Sequence, residues 1–314
     1  MSVVSIIIPC FNAARWIGEA IESCLAQTYR PIEIIVVDDG STDDSVKIVK
    51  EFGDKVILET SSANRGGNHA RNRGFELSSG AYIQYLDADD YILPEKIEHQ
   101  VDALEKSGAD VVYGDWRHQH HLPDGQFVME AINITGHQQD VLESLLSGWW
   151  VPSNSLLYRR QAVEASSGWD ESLTAAQDKD FFIAVALCGA KIIYFPGCYS
   201  IYRRFGEVSV STGNIEKWLD NHYRVLQKVE KQLRRKGLDE RYLRALAKGY
   251  FSIGRNYFDR DKSIYLACIK KVKELDPDFT PGESCLYNLA QKAFGFYIAD
   301  FLASAKRRIS QRQF

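Results

Sequence analysis

Asp87, Asp89 and Asp90 place three carboxylates within four positions, directly after the apolar run Tyr82-Ile83-Gln84-Tyr85-Leu86. Like charges that close repel, so the cluster costs stability unless a cation or a hydrogen-bond network offsets it. Two uses fit it: a hydrated loop that caps the next helix, or a hard-cation site built from carboxylate oxygens. A second acidic pair, Asp38-Asp39, ends the run "IEIIVVDD", and Asp178 and Asp180 follow "GWDESLTAAQ". Such carboxylates bind metal, hold hydroxyls or take protons as general bases. His118, His120 and His121 also invite a metal reading, but "RHQHHLPDGQ", beside Pro123-Asp124-Gly125, reads as a solvated polar loop. The six cysteines, at 10, 24, 188, 198, 268 and 285, form no Cys-x-x-Cys pair and read as small buried hydrophobes in a reducing compartment.

The elements that must position these groups alternate along the first hundred residues. "VVSIIIP", "IEIIVVDDG", "KVILE" and "AYIQYLD" read as buried strands. Between them, "RWIGEAIESCLAQTY" puts Trp16, Ile17, Ala20, Ile21, Cys24 and Leu25 on one helical face. "STDDSVKIVKEF", with Ser41 or Thr42 placed as its cap, and "GNHARNRGFELSSG" read as two further helices. Continuous apolar strands alternating with amphipathic helices predict an α/β fold: a mostly parallel central sheet flanked by helices on both faces. Ligands of such sheets lie beyond the carboxyl ends of the strands, near a switch in strand order. Pro9-Cys10-Phe11-Asn12, Asp38-Asp39-Gly40 and Asp87-Ala88-Asp89-Asp90 fall at three such ends, so the aspartates can converge on one ligand.

At 314 residues, with 45% hydrophobic and 25% charged residues, the chain has the composition of a soluble globular enzyme. No apolar run reaches the ~18 to 20 residues of a membrane span, and "MSVVSIIIPCFN" reads as a core strand, not a signal peptide. The expected location is cytoplasmic. Charge divides the chain: residues 1–214 hold 17 Lys+Arg against 30 Asp+Glu, and residues 215–314 hold 21 against 12. The boundary is therefore set at 214/215, with a C-terminal α-helical extension after it. Residues 247–277 read as one helical hairpin of the tetratricopeptide type. The last stretch, "FYIADFLASAKRRISQRQF", combines Phe296, Tyr297, Phe301, Leu302 and Ile309 with Lys306, Arg307, Arg308 and Arg312. It reads as a packed helix with a solvated basic end, as an interfacial helix peripheral to the inner face of an anionic membrane, or as a homodimer contact. No aromatic or groove-reading motif accompanies the basic tail, so nucleic acid is not an expected partner.

Taken in order, "SIIIPCFNAARWIGEAIESCLAQTY", "IEIIVVDDGSTDDS", "NRGGNHARNRG", "GAYIQYLDADD" and "GWDESLTAAQDKDF" resemble the family 2 inverting glycosyltransferases, over roughly residues 3–210. The resemblance implies the nucleotide-diphospho-sugar-binding GT-A fold and transfer of a sugar, a UDP-sugar being favoured, to a saccharide or lipid-linked saccharide acceptor. It assigns Pro9 and Phe11 to the nucleotide base and Asp39 to the base or ribose, with Asp38 structural. Arg71 is expected to contact phosphate or hold the aspartates. Asp87-Ala88-Asp89 matches the family's Asp-x-Asp motif, with Asp89 the ligand of Mn2+ or Mg2+ and Asp87 its partner near the ribose. Asp90 is then expected to cap the helix opened by Pro94. Asp178 is the implied general base, and Asp180 supports the helix start.

The chain departs from the pattern twice. Gln177 stands where relatives place a glutamate before the base, which is expected to make Asp178 somewhat less basic. Phe205 stands where many carry a metal-reaching histidine, leaving Arg203 and Arg204 to grip the diphosphate as arginine forks do. Trp149 and Trp150 lie where relatives shape the acceptor side. Sugar-nucleotide pyrophosphorylases would need a glycine-rich phosphate loop that "PCFNAARW" lacks, and a haloacid-dehalogenase-type phosphatase would need a nucleophile where Val37 stands. A GT-A-fold scaffold without activity is the alternative function.

Overall fold

The computed structural model describes residues 1–122, 124–205, 214–237 and 239–311. Strand β1 (Val4–Cys10) leads to α1 (Ile17–Leu25), β2 (Ile32–Asp38), α2 (Ser45–Lys50), β3 (Ile57–Thr60), α3 (Gly67–Leu77) and β4 (Tyr82–Tyr85). The chain continues through β5 (Tyr91–Ile92), α4 (Lys96–Ser107), β6 (Val111–His121), β7 (Phe127–Met129), α5 (Val141–Leu146), β8 (Leu156–Arg159), α6 (Arg160–Ala165), α7 (Gln177–Leu187) and β9 (Ile192–Phe205). The described helices after it are α8 (Ile215–Lys236), α9 (Glu240–Tyr257), α10 (Lys262–Leu275), α11 (Cys285–Phe294) and α12 (Phe296–Gln311).

The strands form one sheet in the order β3-β2-β1-β4-β8-β6-β9-β5, with β7 added to β6. The four strands of the expected parallel sheet pair in parallel, with β1 between β2 and β4. The second half is mixed: β8 runs antiparallel to both β4 and β6, while the long β6 and β9 run parallel. The expectation of a central sheet with α/β alternation is met, and its mixed half comes from residues 110–205. Strand β3, expected to be buried, lies at the sheet edge with Ile57 exposed. The apolar runs of β1, β2 and β4 are buried as predicted, and Ile6, Ile8, Ile17, Ile21, Ile34 and Val36 share one core cluster. Each such side chain contributes roughly 1.5–3 kcal/mol on leaving water.

The chain divides into two compact units, residues 1–141 with 150–215, and residues 142–149 with 216–314. The division differs from a single cut after residue 214 in taking residues 142–149 into the helical unit. In that unit buried acids find cations and phenols. Asp300 accepts from Tyr265 and Tyr287, both at 2.8 Å, and pairs with Arg255 at 3.0 Å. Residues 247–277 do form a hairpin of α9 and α10, packed closely enough that a Cβ on Gly254 would lie 2.7 Å from Cys268 Cβ. On α11 and α12, Leu286, Leu289, Phe294, Phe301 and Leu302 are more than half exposed. Arg312 lies outside the described residues, as do the side chains of Arg307, Arg308 and Ile309. Among the described residues no helix is long and apolar enough to cross a membrane.

Helix α3 lies unusually close to the sheet, because Gly74 faces β1 with no side chain between. A Cβ there would lie 2.3 Å from Ile7 Cγ2 and 3.4 Å from Val37 Cγ2. The better helix propensity of alanine, about 1 kcal/mol, cannot offset an overlap that forces α3 outward. Gly74→Ala is therefore expected to lower stability by about 1–3 kcal/mol, read as a drop of several degrees in the thermal midpoint. An unchanged or raised midpoint would contradict this packing.

Candidate active site

The loops after β1 and β2 are stapled together. Backbone amides of Asn12, Ala13 and Ala14 donate to Ser41 Oγ, Ser45 Oγ and Asp43 Oδ2 at 2.9, 2.8 and 3.0 Å. Asn12, at φ 49°, returns the bond by accepting Thr42 N at 2.8 Å. Ser41 and Thr42 therefore do not cap α2, as expected from sequence; their polar groups serve the neighbouring loop, and α2 starts only at Ser45. This staple holds Pro9 and Phe11 at the end of β1, with the Phe11 ring 47% exposed.

Asp38 behaves as the turn residue predicted, accepting Gly40 N and Ser41 N at 3.2 and 3.1 Å. Asp39, expected at the base or ribose, is buried and shapes the next loop. Its two oxygens accept Arg65 N at 2.9 Å and Gly66 N at 2.7 Å. Each carboxylate oxygen accepts twice, so one acceptor position remains on each. The loop must come this close: a Cβ on Gly40, at φ +80°, would lie 2.9 Å from the Ala63 carbonyl carbon.

Arg71 is no surface arginine. It is buried and donates to Asp87 Oδ1 at 2.6 Å, Asn68 Oδ1 at 3.2 Å and Gln177 Oε1 at 3.3 Å, with its guanidinium 4.5 Å from the Trp169 ring centre. Asn68 and Asn72, on the same helix, clamp the "GWDE" segment. Asn72 exchanges two 2.9 Å bonds with the Trp169 backbone, and Asn68 donates to Asp170 O at 2.7 Å. Helix α3 thereby fixes the approach to α7, whose first turn carries Asp178 and the buried Asp180.

Asp178 accepts a hydrogen bond from Ser153 N, yet its carboxyl is raised to about 6, by burial first and then by the charge of Asp87, against the lowering effect of Arg71. The base candidate is therefore more basic than an ordinary aspartate. The neutral Gln177 hydrogen-bonds Arg71, so the expected weakening is outweighed by burial. Asp89 is likewise raised to about 6, by burial and then by Asp87. The donors of the cluster are carboxylate oxygens, the set that suits Mg2+ or Mn2+. The residues present fit such an ion.

Two expectations are corrected behind the cluster. Asp90 does not cap α4, which begins at Lys96; it is buried and accepts Arg203 N at 2.8 Å and Asn154 Nδ2 at 2.9 Å. Arg203, expected on the diphosphate, is buried between the Tyr91 and Trp16 rings, 4.5 and 5.0 Å from their centres. Its guanidinium pairs with Glu19 and donates to the Asp89 carbonyl at 3.0 Å. It braces the loop from inside. Phe205 stacks on Trp16 at 4.4 Å and lies 5.0 Å from the His121 ring.

The histidine-bearing stretch is not a loop either. His118, His120 and His121 end β6, which pairs with β7 across a turn containing Asp124 and Gly125. Pro123 lies outside the described residues. Sequence reasoning also missed Tyr202, whose hydroxyl is pushed far up by burial and by Asp90, Asp178, Asp87 and Asp89. Tyr202 packs edge-on against Trp116 and Trp150 at 6.2 and 6.3 Å, so Trp150 joins an aromatic wall beside the acids. Its position two residues before Arg204 on β9 was visible, but its neighbours come from distant segments.

An α/β sheet ordered β3-β2-β1-β4, with acidic strand ends meeting at the switch beside β1, defines a protein of the GT-A fold. The chain belongs to glycosyl transferase family 2, whose family model matches residues 5–165. It is similar to an uncharacterized glycosyltransferase of Rickettsia prowazekii, 37% identical over 190 residues, and spans 57% of the length of that relative with 57% of its own. An uncharacterized glycosyltransferase of Haemophilus influenzae is 31% identical over 228 residues, covering 71% of this chain and 88% of that protein. Among solved structures, residues 1–349 of S. aureus TarS in complex with UDP-GlcNAc superpose with a TM-score of 0.74 at 18% identity, over 97% of this chain and 91% of that one.

Arg71→Met removes the cation facing Asp87 and Asp178 while keeping much of the volume. The expected cost is about 3–5 kcal/mol near pH 8, the range for breaking a buried pair. Asp178 is already raised to about 6 with Arg71 beside it, and losing that cation raises it further, so the penalty grows as pH rises and shrinks as Asp178 takes up its proton. Thermal unfolding at pH 5 and pH 8 should show the larger loss at pH 8; equal losses would contradict the pairing.

Proposed function

We propose that the protein is an inverting glycosyltransferase that moves a sugar from a nucleotide-diphospho-sugar to an acceptor hydroxyl, in polysaccharide or glycoconjugate synthesis. The observation that carries this reading is the position of Asp178: a half-buried carboxyl of raised pKa, under the electrostatic influence of both Asp87 and Arg71, beside the Asp-x-Asp segment. Inversion in one displacement needs one base on the acceptor side, and a pKa near 6 leaves that base ionised at neutral pH.

In this reading Phe11 presents its exposed ring to the nucleotide base beside Pro9, and Asp39 takes the ribose or base through its free acceptor positions. The UDP-GlcNAc bound to the structural neighbour TarS supports a UDP-sugar as donor. Asp89, with Asp87 beside it, would hold Mg2+ or Mn2+, which would supply positive charge against the departing nucleoside diphosphate. Arg71 holds the Asp87 carboxylate in place, and Arg203 fixes the Asp89 backbone from behind; both are positioning residues. The acceptor, a saccharide or lipid-linked saccharide, lies against the Trp116, Trp150 and Tyr202 wall, whose flat faces suit sugar rings. Asp178 takes the proton of the attacking hydroxyl as its oxygen bonds to the anomeric carbon and the bond to the diphosphate breaks.

Below a pKa of about 6 Asp178 holds a proton and cannot accept another, so kcat/KM is expected to fall about tenfold per unit as pH drops below it. Asp178→Asn should lower kcat by about 10²–10⁴ and leave nucleotide affinity nearly unchanged. Sugar transfer measured against pH, with UDP binding measured separately, checks both. A variant with undiminished kcat, or one that loses UDP binding in parallel, would remove Asp178 from the role of base.

A further inference from the structure

The hairpin of β6 and β7 carries a second constellation of metal-ligating side chains outside the acidic pocket. His118 and His120 are two positions apart on β6 and so project from one face of it. The antiparallel register Gln119↔Met129 sets Glu130 opposite His118, and Glu130 N donates to His118 O at 3.0 Å. The Glu130 carboxylate meets His118 Nδ1 at 2.8 Å and also contacts His120 Nε2. One donor atom from each residue lies within 4.8 Å of the others.

We propose that His118, His120 and Glu130 form a transition-metal site suited to Zn2+, separate from the Asp89 site. Two imidazole nitrogens and one carboxylate oxygen match the borderline ligand preference of Zn2+, whereas Mg2+ and Ca2+ take oxygen. A carboxylate shared between two histidines in plain hydrogen bonds accounts less well for His118. Its Nε2 is buried with no hydrogen-bond partner, and its ring packs edge-to-face with Trp116 at 4.8 Å and Tyr202 at 5.4 Å. Packed edge-to-face among aromatic rings, an N–H at Nε2 gains weak N–H···π contact that a lone pair there cannot make. The tautomer with the proton on Nε2 leaves a lone pair on Nδ1 facing the Glu130 carboxylate. Two acceptors in contact require a positive charge between them. A metal ion held between the two imidazoles and the carboxylate supplies that charge, with neutral imidazole as the ligating form.

The site closes the base of a short edge hairpin. His120 and Glu130 side chains are 33% and 43% exposed, so a fourth position faces solvent and water can fill it. Through His118 the ion would fix the ring against Trp116 and Tyr202, the wall that borders the acidic pocket. Its role is to hold that wall, not to touch the donor.

The test uses the full chain without a histidine tag, stripped with chelator, and titrated with Zn2+ by calorimetry and with Co2+ by visible absorption. The expected result is one equivalent bound at micromolar dissociation constant or tighter, with the d–d absorption of four-coordinate Co2+. His120→Ala and Glu130→Gln should each weaken binding by more than about tenfold, since even outer-sphere partners cost that much. Asp89→Ala should retain it. Both hairpin positions are partly exposed, so circular dichroism of the variants is expected to match wild type and separates lost binding from lost folding. Absence of micromolar binding, binding that survives both hairpin substitutions, or binding abolished by Asp89→Ala alone would each overturn the proposal.

Discussion

The structure around the strand ends depends on how a crowd of aspartates is kept together. Two unit charges 4 Å apart repel by about 4 kcal/mol at the effective dielectric typical of protein sites. Asp87, Asp89, Asp90 and Asp178 are brought into mutual influence by the sheet itself, since the chain segments bearing them meet near its switch point. Arg71 and Arg203 hold them from two sides. Arg71 takes the Asp87 side chain, and Arg203 takes the backbone of Asp89 and the Asp90 carboxylate. Each arginine needs its own support: Trp169, Asn68 and Gln177 for the first, Trp16, Tyr91 and Glu19 for the second. Much of the local architecture is therefore scaffolding for two guanidinium groups.

Asp89 and Asp178 both retain raised pKa values, set first by burial and then by the charge of Asp87. In the proposed function this set of oxygen donors would hold a divalent cation, whose charge would offset that of a diphosphate. Burial, with the charge of Asp87, raises Asp178 in the same way, and in the proposed function this shared environment links donor binding with base strength.

How much of this was legible in the sequence follows the range of the interactions. The alternation of buried strands and amphipathic helices is a local pattern, and it gave β1 to β4 and the acidic strand ends directly. The motif order placed Asp87, Asp89 and Asp178 in one reading. Roles set by distant partners were not legible. Asp90 looked like a helix cap until Asn154 and the Arg203 backbone were found beside it. Arg203 looked like a phosphate ligand because nothing local shows that Trp16 and Tyr91 enclose it. Ser41 and Thr42 had good capping chemistry, but amides of the β1 loop and the Asn12 side chain competed for them. The hairpin at His118–His121 was read as loop because its first strand ends in the polar run Arg117-His118-Gln119-His120-His121; the Asp-Gly turn followed by Phe127-Val128-Met129 was the signal that could have found it. Lys96, buried among Gln84, Gln100 and the Leu156 carbonyl, is another cation whose surroundings only the fold reveals.

The central claim is that the pocket held by Arg71 and Arg203 is built for a nucleoside diphosphate and a divalent ion together. Thermal unfolding with a panel of nucleoside diphosphates and their sugars, each with Mn2+ or with chelator, on wild type and Asp89→Ala, tests it most directly. Ligand that binds only the native state must raise the midpoint, increasingly as its concentration exceeds the dissociation constant. The account predicts a shift with a uridine nucleotide that needs Mn2+ and disappears in Asp89→Ala. No shift with any nucleotide, or one indifferent to both metal and Asp89, would contradict it and leave the fold as a scaffold.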